Sequence, residues 1–373
     1  MFRRFVLIAT LCVLLAGAVV STLLLRPAGP DEPLAVDFGK TRWQAFVEEH
    51  FAFDEACREC HHEQFEAHQR SGHSRTATRM EQTQLADILD GTSYLDPRRE
   101  VTFEFSQSRN GLTVATAGEA PFPVHWLLGS GAHARTPVSI DPASGYGVEF
   151  RWSWISHSEE LALTPDHQRF DKFKPHSLEC YGRPLDPEQA LACVTCHMMA
   201  VPPKGVRPTV DEFYPNVGCE RCHGPRKEHV WLAHLGRAEE APPLFHYNDP
   251  SAYLKQCAEC HRDETNIPRD AEPSSLARYQ PYGLQKSRCF QVSESLTCST
   301  CHDPHDQTSV EPGHYNSVCL QCHGTPPQPS CSAEPAGKCV DCHMPAMEWE
   351  AGIRFHDHWI RIINDADKPQ EAL

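Results

Sequence analysis

The sequence predicts a mainly α-helical fold with much irregular structure and a small antiparallel β-sheet. The chain has 31 Pro and 21 Gly in 373 residues, and strand-like alternation is clear in one region only. Pro and Gly in such numbers interrupt regular elements. Hydrophobic residues make up 40% of the chain, which is below the usual share for a globular protein. We therefore expect something other than side chains to fill much of the interior.

A five-residue pattern, C-x-x-C-H, occurs seven times and uses 14 of the 18 Cys. Random placement of this composition predicts about 0.05 copies, so the repetition is a strong signal. We number the copies I to VII in chain order. Their Cys pairs are Cys57 and Cys60, Cys193 and Cys196, Cys219 and Cys222, Cys257 and Cys260, Cys298 and Cys301, Cys319 and Cys322, and Cys339 and Cys342. Their histidines are His61, His197, His223, His261, His302, His323 and His343.

The spacing of this motif suits the covalent attachment of haem. Two Cys three residues apart on a short turn can reach both vinyl groups of one haem as thioethers, and the adjacent His can bind the iron from below. The alternative is zinc, which paired C-x-x-C units also bind, but zinc does not require a His after every second Cys. A thioredoxin-like redox motif would need a βαβ context. The sequence thus predicts seven covalently attached copies of haem c, which would form the core of the fold.

Each predicted iron has a sixth position to fill, and histidine is the expected ligand. There are 23 His but only six Met, so bis-His ligation is the default. The other histidines have an alternative interpretation as surface or hydrogen-bonded side chains. The candidates for distal ligands are His73, His133, His229, His305 and His358, followed by His314 and His176.

The N-terminus predicts export. Arg3 and Arg4 precede an apolar stretch, residues 5–25, that would be about 31 Å long as a helix and could span a bilayer. We expect residues 1–26 to be an uncleaved membrane anchor and 27–45 a linker; a cleaved signal peptide is the alternative. The remaining chain would then lie on the periplasmic or extracytoplasmic side of the cytoplasmic membrane.

Residues 46–373 are predicted to form one haem-binding domain. A helical stretch, residues 43–80, carries motif I, and a β-containing insert lies at about residues 98–160. In it, Val101, Phe103 and Phe105 alternate with polar residues before Asn110-Gly111, which predicts a hairpin. The alternation in residues 148–154 predicts a further strand. The aromatic residues of the hairpin and of this strand are expected to pack in the core of the insert. Six motifs fall between residues 193 and 343, where short helices and loops are expected.

Three further exported cysteines cannot all pair with one another. We expect a Cys289–Cys331 disulfide, with Cys180 left over.

The order and spacing of these segments resemble the cytochrome c-554-like multihaem c-type cytochromes over about residues 50–362. The resemblance rests on Cys57 to His61 with Ser71-Gly72-His73, on residues 217–229, 280–290 and 296–305, and on Cys339 to Pro345 with Asp357-His358. It implies a multihaem cytochrome built around stacked haems, mostly with bis-His iron, that transfers electrons. His68 stands where the family usually has Trp, and seven motifs exceed the four of its small members.

Two functions follow as expectations. The first is an electron carrier between redox proteins: a quinol-linked complex, other cytochromes or a terminal reductase. The second is a multihaem oxidoreductase with one open haem that acts on a small nitrogen or sulfur compound. No catalytic constellation is recognisable beside the motifs, which favours the carrier. The net charge of −16 argues against a nucleic-acid partner.

Overall fold

The computed structural model describes residues 41–363, apart from 117, 207, 208, 210, 211, 245–248, 270, 272 and 325–338. The predicted anchor at residues 1–26, most of the linker, and Cys331 lie outside the described residues. In the part of the chain that is described, no helix is both long enough and apolar enough to cross a membrane.

The helices are short, as expected for a chain rich in Pro and Gly. Among the described helices, the longest two, α8 and α11, have 12 residues each. Both begin with Pro at their first position, where the missing N–H costs no hydrogen bond. In chain order the described helices are α1 Arg42–His50, α2 Asp54–Cys57, α3 His62–Arg70, α4 Gln84–Leu89, α5 Pro187–Thr195, α6 Cys219–His223, α7 Lys227–His234, α8 Pro250–His261, α9 Gln280–Lys286, α10 Arg288–Val292, α11 Pro312–His323 and α12 Cys339–His343.

The β-structure is more extensive than predicted. Within the described residues, three antiparallel sheets occur where one small sheet was expected. In chain order the strands are β1 Ala77–Arg79, β2 Ser93–Asp96, β3 Val101–Ser108, β4 Gly111–Thr116, β5 Phe122–Pro123, β6 Trp126–Leu128, β7 Ala134–Ile140, β8 Gly147–Phe150, β9 Trp152–Ile155, β10 Glu160–Leu163, β11 Gly182–Leu185, β12 Ala346–Glu348 and β13 Arg354–His356. The seven-stranded sheet has the order β1-β6-β7-β8-β11, with β9 pairing β7 and β10; β2 to β5 form the second sheet and β12 with β13 the third.

The hairpin predicted at Asn110-Gly111 is confirmed, since β3 pairs with β4 across that turn. The helical stretch predicted for residues 43–80 is wrong in its second half: after α3 the chain makes a short turn and enters β1, which pairs with β6.

The single strand predicted for residues 148–154 is also wrong, because the chain breaks at Arg151 into β8 and β9. The Arg151 side chain is fully buried and forms an ion pair with the buried carboxylate of Asp96. It also donates to the His167 carbonyl and to Asp171, each at 2.5 Å. A buried guanidinium needs such partners, and the break in the strand lets it reach them.

In the part of the chain that the structure describes, apolar side chains form three buried clusters, all within residues 43–214. The largest covers the strands and includes Phe103, Phe105 and Trp152, so these aromatic residues pack in the core as predicted. The expectation that haem rather than side chains fills the interior is therefore wrong for the sheet region. Among the described residues beyond 214, no such cluster occurs, and that is the segment that carries motifs III to VII.

Candidate haem-binding centres

The motifs lie mainly on helical turns at the ends of short helices. Motifs IV and VI close α8 and α11, and motifs III and VII form α6 and α12. One helical turn places residues i and i+3 on the same face, so both Cys of a motif point towards one side. The His that follows is carried to the next position around the turn. This is the local geometry that two thioethers and one axial nitrogen require.

Four of the motif histidines face a second imidazole ring. The pairs are His61 with His229 at 6.5 Å between ring centroids, His73 with His261 at 6.2 Å, His223 with His305 at 6.1 Å, and His302 with His358 at 6.1 Å. The structure thus brings four of the seven predicted distal histidines opposite a motif histidine.

These separations fit an iron bound between the two rings. A metal–imidazole bond is about 2.0 Å and a ring atom lies about 1.1 Å from the ring centre, so two imidazoles on opposite sides of one iron have centroids about 6 Å apart. Ordinary aromatic pairs in this structure also lie 6.2–6.4 Å apart. The distinguishing feature is that a motif histidine lies opposite a second imidazole in four separate places. The residues present therefore fit bis-His haem iron at motifs I, III, IV and V.

The pairs cross between motifs. His73 follows motif I but faces the histidine of motif IV, and His229 follows motif III but faces that of motif I. His305, just after motif V, faces motif III, and His358, after motif VII, faces motif V. Chain proximity to a motif is therefore a poor guide to which iron a distal histidine faces.

Hydrogen bonds at Nδ1 orient several of these rings. His73 contacts the Pro304 carbonyl at 3.4 Å and His358 contacts the His356 carbonyl at 2.9 Å. Among the motif histidines, His197 contacts the Thr76 carbonyl at 2.8 Å and His343 the Arg361 carbonyl at 2.8 Å. A ring whose Nδ1–H donates to a carbonyl has its Nε2 lone pair available for a metal.

Burial favours the neutral imidazole that iron requires. Burial lowers the pKa of His358 to about 4 and also lowers the pKa of His73. The charged form is disfavoured because a buried imidazolium loses its hydration. Neutral imidazole is the form that binds a metal.

The other predicted distal histidines lie elsewhere. The His133 ring packs on Phe355 at 4.7 Å. His314 contacts the Cys301 carbonyl at 3.4 Å and the Tyr315 ring. His176 is exposed and pairs with Glu119, its Nδ1 lying 3.2 Å from the carboxylate. Within the described residues, none of the three faces a motif histidine at the separation of the four pairs.

Three other residues singled out in the sequence are His68, Cys180 and Cys289. His68 is buried, and its Nε2 lies 2.9 Å from the Val217 carbonyl, so it ties α3 to the segment before motif III. Cys180 is buried beside Glu119, with 3.5 Å between sulfur and oxygen. Cys289 is a half-buried thiol; its predicted disulfide partner lies outside the described residues, so that pairing stays a prediction. Among the described residues, no cluster of three or more His, Cys, Asp or Glu side chains is arranged to hold a metal ion.

Thiols of different motifs lie close enough to shift one another's pKa. Four such pairs bring together motifs I and III, II and IV, IV and V, and VI and VII. The pairs are Cys57 with Cys219, Cys196 with Cys260, Cys257 with Cys298, and Cys319 with Cys339. Haems attached through these sulfurs would therefore be held at points that are close in space.

Polar side chains that sequence reasoning missed fix motif I against motif III. The Asp54 carboxylate accepts from the Cys219 amide at 2.8 Å, and the buried Glu220 carboxylate accepts from the Ala52 and Phe53 amides at 2.9 and 2.8 Å. Glu220 occupies a variable position of its motif, so no sequence pattern marks it.

Two further side chains link other motifs in the same way. The Gln256 amide donates to the Cys222 carbonyl at 2.7 Å, which ties motif III to α8 and motif IV. The Asn316 side chain accepts from the Cys339 amide at 3.0 Å, which ties motif VI to motif VII. Each link is a side chain bonded to backbone at the start or end of another motif, and it fixes the spacing of the attachment points.

One protein family and two solved structures are similar to this chain. The family described as cytochrome c554 and c-prime matches residues 56–104 and 150–224, about a third of the chain. The chain is similar to the outer cell wall cytochrome OcwA, at 14% identity and a TM-score of 0.45, over 85% of this chain and 80% of that one. It is also similar to an undecahaem cytochrome from the S-layer of Carboxydothermus ferrireducens, at 15% identity and a TM-score of 0.44, over 84% of this chain and 52% of that one. The chain thus spans about half the length of the second protein. No curated protein matches it.

The family match begins one residue before motif I and ends just after motif III, and its two segments hold three of the C-x-x-C-H motifs. The resemblance predicted from the sequence is confirmed over these residues: the chain is a multihaem c-type cytochrome, and it is similar to the cytochrome c554 and c-prime family across motifs I to III.

Proposed function

We propose that the chain is an exported, membrane-tethered heptahaem c-type cytochrome that relays electrons between redox partners through closely packed, mostly bis-His haems. Residues 1–26 would anchor it in the cytoplasmic membrane, with the haem domain on the periplasmic or extracytoplasmic side. Haem c supplies an iron that cycles between the ferric and ferrous states. The protein supplies its attachment, its axial ligands and its position.

One observation supports this proposal most strongly: four motif histidines face a second imidazole at 6.1–6.5 Å. An iron with imidazoles on both sides has no free position for a substrate, which suits electron transfer rather than catalysis. The thiol pairs of different motifs support close packing, since they put neighbouring attachment points side by side.

The partners proposed for this relay are a quinol-linked complex on one side and another cytochrome or a terminal reductase on the other. The net charge of −16 means that most of the surface of this chain should attract partners that carry a basic surface. Association with such partners should slow as salt is added.

A multihaem oxidoreductase is the alternative. Within the described residues, no second imidazole faces His197, His323 or His343 at the separation of the four pairs. The His197 ring is half-buried, and its Nδ1 lies 2.8 Å from the Thr76 carbonyl. An iron at such a position would be able to bind a small ligand.

Counting haems and open irons in the purified holoprotein tests both functions. We expect a haem-to-protein ratio of seven, an electron paramagnetic resonance spectrum dominated by low-spin ferric iron, and CO binding by a minority of the haems or by none. A largely high-spin protein that turns over nitrite or hydroxylamine would contradict the carrier. The anchor has a separate test: a mature chain that begins near Val19 and is found in the soluble fraction would contradict it.

A further inference from the structure

A surface tryptophan lies next to one of the paired histidines. Trp359 is 40% exposed, and the His358 ring before it faces His302 of motif V at 6.1 Å. A single peptide bond therefore connects an exposed indole to an imidazole opposite the motif V histidine. Exposed Trp side chains are uncommon on monomer surfaces and common at the centres of interfaces.

The backbone that carries Trp359 is held firmly by α9. The Ser287 hydroxyl donates to the His358 carbonyl at 2.9 Å and accepts from the Ile360 amide at 2.7 Å. Gly283 packs so closely that an added Cβ would lie 2.7 Å from the Trp359 nitrogen. An aromatic side chain on a fixed backbone loses little entropy when a partner binds, so it is suited to anchor an interface.

Cations surround the indole. The Arg361 guanidinium lies 4.1 Å from the Trp359 ring centroid and the Lys286 ammonium 5.1 Å from it. Lys286 also lies 3.9 Å from the Tyr282 ring centroid. Arg361 pairs with Asp357 at 2.6 Å, so part of its charge is balanced.

The charge of this surface is opposite to that of the chain as a whole. Residues 282–290 carry Lys286 and Arg288 and no acidic side chain, and residues 354–363 carry Arg354 and Arg361 against the single Asp357. The two segments thus have a net charge of +3, whereas the chain has −16. A negatively charged protein would be repelled by most of the molecule and attracted here.

We propose that Tyr282, Lys286, Trp359 and Arg361, the Trp359 face, form the docking site for an acidic redox protein that exchanges one electron with the haem at motif V. The inference rests on the proposed relay function and identifies one site at which electrons would enter or leave the relay. When the partner is the donor, it is oxidised by one electron and the iron changes from ferric to ferrous; no bond forms or breaks. Trp359 and Arg361 are the anchors, and Lys286 supplies charge complementarity.

A plant-type [2Fe–2S] ferredoxin, which is an acidic one-electron donor, is the probe. In rapid mixing with the oxidised holoprotein, Lys286→Glu should lower the second-order rate constant about tenfold at low ionic strength. The difference should shrink as salt screens the charges. Lys172→Glu is the matched control, because Lys172 is exposed and the change in charge is the same. An unchanged low-spin spectrum in both variants shows that the haems are in place.

Two further variants test the indole, and cross-linking tests binding without electron transfer. Trp359→Ala should slow the reaction and Trp359→Phe should retain most of the rate, because an aromatic face remains. A carbodiimide should join Lys286 to ferredoxin carboxylates, and mass spectrometry should find that peptide among the main products.

The possible failures are distinguishable. Equal rates for the two Lys variants, or cross-links that avoid Lys286, would overturn the docking site while the relay stands. A predominantly high-spin protein that binds CO would overturn the relay itself.

Discussion

His229 and His234 lie on the same helix, α7, but in different surroundings. The His229 ring is half-buried and faces His61 at 6.5 Å. The His234 side chain is 60% exposed, and its Nε2 lies 3.8 Å from the Glu59 carboxylate. Both are spaced suitably after motif III, so their positions in the chain do not decide between them. Packing against motif I does.

Replacing His229 by Ala should therefore open the iron of motif I rather than that of the nearer motif III. The imidazole is removed and water or CO can take its place, so the number of haems that bind CO should rise by one. Difference absorption spectroscopy of the reduced protein measures this number. His234→Ala is the control and should leave it unchanged. An unaltered CO count in His229→Ala would show that the His61 pair is not a ligand pair.

Protonation of the Asp171 carboxylate should destabilise the sheet region at acidic pH. Hydrogen bonds from Arg98, partly offset by burial and reinforced by Arg151, lower the pKa of this carboxyl to about 2. The two guanidinium groups lie 2.5 Å from its oxygens. An unpaired Asp in the unfolded chain has a pKa of about 3.9. The folded state thus binds the proton less readily, and the stabilisation is complete above about pH 4 and lost as the pH falls towards 2.

Asp171→Asn should remove this dependence. The variant should be less stable than the wild type at pH 6, and the difference between their urea midpoints should shrink steeply as the pH falls towards 2, where about half of the wild-type carboxyl groups are protonated. Circular dichroism of the strands follows the transition. Asp90→Asn is a useful control, since Asp90 is exposed and lies in the same region. A difference between Asp171→Asn and the wild type that is as large at pH 2 as at pH 6 would exclude this cause.

At the scale of elements, the sequence predicted those elements that depend on neighbouring residues. The Asn110-Gly111 turn and the alternation before it are enough to specify the β3–β4 hairpin. The break between β8 and β9 was not predictable in the same way. Residues 148–154 alternate well, but Arg151 finds its partners at Asp96 and Asp171, 55 and 20 residues away. The distal histidines show the same limit: four of the predicted residues lie opposite a motif histidine, but which motif each one faces depends on contacts between distant segments.

Gly283 in α9 offers a test of how tightly one element positions another. In a helix, Gly→Ala ordinarily stabilises by up to about 1 kcal/mol. At Gly283 the new Cβ would lie 2.7 Å from the Trp359 nitrogen and 2.8 Å from the His358 carbonyl carbon, so the backbone that carries His358 must move. Gly283→Ala should be destabilising by about 1–3 kcal/mol and should increase the fraction of high-spin iron.

Gly313→Ala is the matched control for this change. Gly313 lies in the first turn of α11, and nothing lies within 4 Å of an added Cβ. This variant should be as stable as the wild type or slightly more stable. If both variants behave alike in urea denaturation and in their spin state, then α9 does not hold His358 through close packing.

At the scale of the whole molecule, the described chain has two kinds of interior. The strands and the helices before motif III enclose clusters of apolar side chains. The segment that carries motifs III to VII has short helices, motif-to-motif hydrogen bonds and, in its described residues, no cluster of that kind. The sequence predicted the second kind of interior from the density of motifs. It did not predict the size of the first, because the sheets pair strands that are far apart in the chain.

This division predicts how the chain behaves without haem. Ordering a residue costs roughly 1–2 kcal/mol of conformational entropy, and only burial or a bound group offsets it. In protein made without haem attachment, amide hydrogen exchange should stay slow in β3, β4 and β7, where Phe105, Val114 and Val138 are buried. It should be fast in α8, α9 and α11, because the group that would order them is absent. In the haem-bound protein both regions should be protected, and mass spectrometry of peptic fragments resolves the two. Equal protection of α8 and β3 in the haem-free chain would mean that side chains alone order the motif-bearing segment, and equal loss in both would mean that the sheets depend on haem as well.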